Sequence, residues 1–196
     1  VTQKAAGVSL ETTSLTFENT AGAYELKLVS EASWTANTSQ SWIEVSPTSG
    51  SAGESTLRIS AIDNTSISER SGYVYINIGG TKVVEIAVKQ RGLYIEFDES
   101  FLSFTSEEGE QVVKINSNTS WIISSCPEWM SVAPMSGNGS QDVTIRVVDN
   151  PNVSSRKATI TASQTGLNLS SKIEINQAGK VFDYGSSTIE CSDKAQ

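Results

Sequence analysis

Histidine is absent from all 196 residues. Its absence removes the usual general base, every histidine-dependent catalytic triad and the commonest zinc ligand. Basic residues are also scarce: 14 Lys and Arg stand against 22 Asp and Glu, a net charge of −8. That balance opposes approach to DNA, RNA or an anionic membrane face, so no nucleic-acid partner is expected. No apolar run approaches the roughly 18 residues of a membrane span, and insertion of this segment into a bilayer is not expected either. The opening VTQKAAGVSL has neither an initiator Met nor an apolar signal core and reads as the start of a mature or trimmed chain. Two cysteines, Cys126 and Cys191, are too few for a disulfide framework; whether they pair stays open. Neither a glycine-rich phosphate loop nor a dinucleotide fingerprint occurs, so no cofactor is expected.

Catalysis by carboxylates alone is the remaining enzymatic route, since glycoside hydrolysis needs only two. Glu44, Glu54, Asp98, Glu107 and Glu108 are the acids to consider for it. They fall on polar faces or in the run FDESFLSFTSEEGE, a solvated edge rather than an apolar cleft, and Cys126 as a nucleophile lacks a base. No catalytic residue is assigned.

What the chain does have is a repeat. SWTANTSQSWIEVSPTSG at 33–50 is echoed by SWIISSCPEWMSVAPMSG at 120–137, with Trp34 and Trp121, Trp42 and Trp129, Pro47 and Pro134, and Gly50 and Gly137 each 87 positions apart. A period that long exceeds the roughly 20 to 50 residues of solenoid units, so each copy should hold its own core. Ser and Thr make up roughly a quarter of the chain, and helix-filling residues are few, which sets an all-β expectation.

Alternation of period two supports it. In the first copy strands are expected near 15–17, 24–30, 34–38, 42–46, 55–62, 73–78 and 83–90, with Leu26, Leu28, Leu57, Ile59, Val74, Ile76, Ile78, Val84, Ile86 and Val88 on the core face. The second copy repeats the plan near 102–104, 111–117, 121–124, 129–133, 142–148, 158–162 and 172–177. About seven short antiparallel strands per copy, joined by Gly, Ser, Asn and Pro turns, predict two tandem immunoglobulin-like β-sandwich domains. Boundaries are expected at 1–92 and 93–180, with 181–196 a C-terminal strand or the stub of a further unit. The junction KQRGLYIEF has no Pro- or Ser-rich spacer, so a short, stiff joint is expected.

The shared signature is Trp34, Trp42-Ile43, Val45-Ser46-Pro47, Ser49-Gly50, Asn64, Arg70 and Gln90-Arg91-Gly92. In the second copy it is Trp121, Trp129-Met130, Val132-Ala133-Pro134, Ser136-Gly137, Asn150, Arg156 and Gln177-Ala178-Gly179. This order resembles the BACON domain (Bacteroidetes-associated carbohydrate-binding, often N-terminal), in tandem over about residues 8 to 180. The second copy departs at Ala133, for Ser46, and at Ala158, for Gly72. The resemblance implies an immunoglobulin-like sandwich in extracytoplasmic proteins of Bacteroidetes, often beside glycoside hydrolases or in lipid-anchored surface proteins. It also implies a polysaccharide or mucin glycan as partner, alongside the neighbouring domains of the parent protein.

Trp34 and Trp121, each opening a mid-domain strand, are expected as core plugs between the sheets. Trp42 and Trp129 have two readings. If Ile43 and Met130 point inward, strict alternation turns the preceding Trp outward as a stacking surface for a sugar; alternatively each seals the end of its sandwich. Tyr73 and Tyr75, outward and two apart on one strand, either span neighbouring sugar rings or serve as ordinary residues of a solvated face, and their counterparts are Thr159 and Thr161. The candidate carbohydrate platform is therefore Trp42, Tyr73, Tyr75 and Trp129. Asp63-Asn64 and Asp149-Asn150 suit either a hard cation or a side-chain-closed turn; without full ligand spacing no metal site is assigned. Arg70 and Arg156 are expected to pin those loops.

The functional expectation is a non-catalytic extracytoplasmic module, at the cell surface or secreted, serving as a semi-rigid spacer with weak carbohydrate contact. The alternatives are a dedicated carbohydrate-binding module using the outward aromatics of the first copy, or an adhesion module pairing through a sheet edge.

Overall fold

The computed structural model describes residues 3–5, 7–124 and 126–181. The chain divides into two compact units, Val1–Tyr94 and Ile95–Gln196. The expected strand or stub at 181–196 lies outside the described residues apart from Val181, and so does Cys191 with its pairing to Cys126.

In the first unit, β1 (Gln3–Ala5), β2 (Val8–Leu10), β3 (Ser14–Phe17), β4 (Gly22–Ser30) and β5 (Trp34–Thr38) are followed by β6 (Ile43–Ser46), β7 (Ser49–Gly50), β8 (Gly53–Ala61), β9 (Arg70–Ile78) and β10 (Thr81–Gln90). One sheet has the order β1-β2-β4-β8-β6, the other β3-β10-β9-β5-β7. In the second unit, β11 (Ile95–Phe97), β12 (Phe101–Phe104), β13 (Gly109–Ser117), β14 (Ser120–Ile123), β15 (Met130–Ala133), β16 (Ser136–Asn138), β17 (Gln141–Val147), β18 (Arg156–Ser163) and β19 (Ser170–Gln177) form the sheets β11-β13-β17-β15 and β12-β19-β18-β14-β16. Each unit is an immunoglobulin-like β-sandwich, without helices among the described residues.

The seven strands expected per copy are all present, and short ones add to them. Strands β2, β7 and β11 are two or three residues long, too short for an alternation to register. The expectation of purely antiparallel pairing is corrected at one place in each unit: β3 runs parallel to β10, and β12 parallel to β19. Hydrophobic alternation fixes which face a residue takes and carries no information on strand direction.

Each unit encloses its own core. Leu28, Leu57, Ile59, Val74, Ile76, Ile86 and Val88 are fully buried in the first, and Ile115, Val143, Ile145, Ile160, Ala162, Ile173 and Ile175 in the second. Because these sets are separate, residues 1–94 alone are expected to give a monomeric, β-rich far-UV spectrum; a disordered spectrum would show that the second unit is needed for folding.

Candidate functional site

Trp34 and Trp121 are 2% and 1% exposed and fill the space between the sheets of their units. Burying each indole contributes about 2 to 3 kcal/mol. Trp34 faces Gly50 across β5 and β7, and a Cβ built on Gly50 would lie 2.7 Å from the indole. Trp121 meets Gly137 in the same way. The Gly of the repeated Pro-x-Ser-Gly is thus the partner of the first Trp, which accounts for their joint recurrence. Trp121 Nε1 donates to Gly139 O at 2.9 Å, whereas Trp34 Nε1 is buried without an acceptor among the described residues.

Trp42 and Trp129 do not form an outward platform. Each sits in a turn ahead of β6 or β15, where Ile43 N–H donates to Gln40 O and Met130 N–H to Pro127 O. The turn breaks strand parity, so both Trp42 and Ile43 face the core, Trp42 at 8% exposure. Trp129 is half-buried and packs on the second core. The Arg70 guanidinium lies 4.5 Å from the Trp42 ring centre, and that of Arg156 lies 4.5 Å from the Trp129 ring centre. Each indole thus lies beneath a guanidinium, Trp42 buried and Trp129 half-buried.

These arginines belong to a clasp built twice on one plan. Arg70 Nε and Nη2 donate to Gln90 Oε1 at 2.9 and 2.7 Å, and Nη2 also reaches Ile62 O and Asp63 O. Gln90 is fully buried and its Nε2 donates to Ile62 O at 2.9 Å and, at longer range, to Asn19 O and Thr20 O. Asn64 Nδ2 donates to Ser68 O and Arg91 O while its Oδ1 accepts from Ser66 N–H. Gln177, Arg156 and Asn150 repeat these roles, except that Arg156 reaches Gln177 Oε1 through Nε alone. Burial pulls the Arg70 guanidinium below its ordinary range, with nearby Asp63 opposing the shift. The Asp carboxylates are spent on backbone: Asp63 Oδ1 accepts from Ala21 N–H and Asp149 Oδ1 from Glu108 N–H. The two Asp-Asn loops are therefore side-chain-closed turns. Among the described residues no cluster of three or more His, Cys, Asp or Glu is placed to hold a metal.

The acids weighed for catalysis are dispersed. Glu44 is exposed on β6, Glu54 pairs with Lys27 at 2.7 Å, Asp98 accepts from Lys114 N–H at 2.9 Å, and Glu107 and Glu108 lie in an exposed turn.

Tyr73 and Tyr75 are outward on the middle strand of the β3-β10-β9-β5-β7 sheet. Tyr73 is 40% exposed, and its ring lies parallel to that of Tyr75 with centres 6.0 Å apart and 16° between planes. Tyr73 is fixed through its backbone, its N–H donating to Ser39 Oγ and its carbonyl accepting from Ser39 N–H. Around the pair, Asn77 Nδ2 donates to Asn37 Oδ1 at 2.8 Å, and Lys82 Nζ stands 4.9 Å from the Tyr75 ring centre while bound to Glu85 at 2.7 Å. That bond to Glu85 pushes the Lys82 pKa up, so an ammonium is held over the ring. The arrangement combines two aromatic surfaces with amide, ammonium and carboxylate groups, the means by which a protein meets both the apolar face and the hydroxyls of a sugar. The larger recesses lie elsewhere, one of 540 Å³ beside Ile43 and Val45 and one of 490 Å³ beside Glu110 and Arg146.

Outward aromatics that escaped the sequence reading are Tyr24, Tyr94 and Phe101. Phe101 is 47% exposed at the first position of β12, one residue ahead of the expected strand at 102–104. Extending the alternation of Leu102 and Phe104 back by one residue would have found it.

Among known families, the viral BACON domain matches residues 7–93, and BACON, described as a putative binding domain, N-terminal, matches residues 119–178. No curated protein matches the chain. Among solved structures, a Bacteroides ovatus xyloglucanase in complex with a XXXG heptasaccharide is similar over 50% of this chain and 22% of its own, at 23% identity and a TM-score of 0.41. The D0-D1 domain of intimin aligns over 86% of this chain and 96% of its own, at 11% identity and a TM-score of 0.31. The I9-I11 tandem from titin aligns over 88% of this chain and 66% of its own, at 7% identity and a TM-score of 0.43. This chain thus spans about a fifth of the xyloglucanase.

Proposed function

Starting from a chain whose two halves both belong to the BACON family, we propose that it is a non-catalytic scaffold module of an extracytoplasmic protein, at the cell surface or secreted. On this reading it contacts carbohydrate weakly through the outer face of the first unit's β3-β10-β9-β5-β7 sheet. BACON domains are a carbohydrate-binding or related extracellular type of module and in general non-catalytic. Among the described residues no helix is long and apolar enough to cross a membrane.

The observation that carries the reading is the parallel pair Tyr73 and Tyr75, held outward and ringed by Asn37, Asn77, Lys82 and Glu85. An open face of this kind makes few contacts, so affinity in the millimolar to high-micromolar range is expected, about −4 to −6 kcal/mol. A glycan array covering plant polysaccharides and mucins identifies the ligand, and titration of the full chain against it gives the affinity. Tyr75→Ala is expected to weaken binding about tenfold or more while the melting temperature stays within about 2 °C, because a side chain at the solvent contributes little to stability. Unaltered binding in Tyr75→Ala would remove the tyrosine platform, and binding to no glycan on the array would leave the module a spacer.

A further inference from the structure

The two units are copies, yet their outward aromatics look unrelated: Tyr73 on a central strand in one, Phe101 on an edge strand in the other. The strand registers relate them. In the first unit Tyr73 pairs with Ala87, and Ala87 with Ser14, so the three residues form one row across β9, β10 and β3. In the second unit Thr159 pairs with Glu174, and Glu174 with Phe101, forming the equivalent row across β18, β19 and β12. Each row carries one exposed aromatic, placed at opposite ends: Tyr73-Ala87-Ser14 in one copy, Thr159-Glu174-Phe101 in the other. Neighbouring strands lie about 4.8 Å apart, so each row spans about 10 Å on the same face of the same sheet.

Phe101 borders an open recess of 380 Å³ that is also lined by Lys157, Thr159 and Glu174. The Lys157 ammonium, the Thr159 hydroxyl and the Glu174 carboxylate make no hydrogen bond or ion pair with any described residue. On the matching face of the first unit Lys82 and Lys89 are both engaged, with Glu85 and Glu69. An exposed ring beside a free donor, a free acceptor and a hydroxyl that is both suits a neutral, hydroxyl-rich ligand. The ring covers an apolar C–H face, Glu174 accepts from a hydroxyl and Lys157 donates to another. One charge of each sign in the recess gives a charged ligand no net advantage.

We propose that the second unit holds its own sugar-contact site, with Phe101 as the stacking surface and Glu174, Lys157 and Thr159 as hydroxyl partners, and that its ligand is a neutral hexopyranose chain. The inference rests on the carbohydrate reading of the first unit and extends it: the tandem is two unlike half-sites that gain strength on a polymer by acting together.

The test uses the full chain on immobilised β-glucan, galactomannan and xyloglucan, with intact mucin and its deglycosylated core as separate arms. Phe101→Ala is expected to weaken apparent binding to a neutral polymer about tenfold, and Phe101→Tyr to leave it within about threefold, as a ring retained at a stacking site does. A Tyr73→Ala, Tyr75→Ala double variant is expected to keep a residual affinity that adding Phe101→Ala abolishes. Unaltered binding in Phe101→Ala, or no residual binding in the tyrosine double variant, overturns the second site and leaves the tyrosine platform in place. Full-strength binding by the double variant overturns the platform instead and supports Phe101. Capture of the deglycosylated core that depends on Phe101 assigns the recess to protein and overturns the sugar claim. Binding to none of the glycans overturns both readings.

Discussion

Trp34→Ala and Trp121→Ala are each expected to destabilise their own unit by about 3 to 5 kcal/mol, the range for deleting a buried aromatic. At 2% and 1% exposure both indoles lie wholly inside. Collapse around the cavity is limited because Gly50 and Gly137, which lie against the rings, have no side chain to move into the space. In a denaturant titration each variant should shift one unit's transition and spare the other, since the two cores are separate residue sets. Phenylalanine separates the two sites further. Trp121→Phe strands the Gly139 carbonyl, whereas Trp34→Phe removes a buried N–H that has no acceptor among the described residues, so the second change should cost less by about 1 kcal/mol. Melting of either alanine variant within a degree or two of the parent would contradict the core assignment.

Gln90→Leu is the second large effect. Leucine matches glutamine in size, so the loss is in hydrogen bonding: Arg70 Nε gives up its acceptor, and Asn19 O, Thr20 O and Ile62 O each give up a donor. Ile62 O keeps Arg70 Nη2 and Asn19 O keeps the Asn64 N–H, so Arg70 Nε and Thr20 O are left without a partner, and their loss where Gln90 is fully buried should cost about 3 kcal/mol or more. For a domain of this size that corresponds to a fall of about 12 °C or more in Tm. Gln177→Leu should do the same in the second unit, whose clasp has the same partners at nearly the same distances. A loss under about 1 kcal/mol would mean that the surrounding groups find other partners and that the clasp is not a major support.

Much of the fold was legible because the signals were periodic. Alternation through Leu26 and Leu28, or Ile173 and Ile175, shows which side of a strand meets the core, and the 87-residue offset shows that there are two cores. Legibility ended where backbone geometry departs from the period. Of the two readings of Trp42 and Trp129, the outward one rests on strand parity carried back through a turn, and the turn sets both Trp42 and Ile43 inward. Glycine in Pro-x-Ser-Gly reads as a turn residue, although its role is to let an indole from another strand lie against it. The clasp was half legible. The arginines were expected on loop backbone or carboxylate, and they do bind loop carbonyls, while their remaining acceptor is the buried amide of Gln90 or Gln177. The equivalence of the rows that carry Tyr73 in one unit and Phe101 in the other could not be read at all, because register between strands distant in sequence is fixed by the packed sheet.

The measurement that tests the central claim most directly is an amide and indole NMR titration of the full chain with a glycan identified on the array. The account predicts shifts centred on Tyr73, Tyr75, Asn77 and Lys82 of the first unit, with the indole N–H signals of Trp42 and Trp129 unmoved beneath Arg70 and Arg156. Shifts centred on those two indoles, with the tyrosine strand silent at saturating glycan, would contradict it.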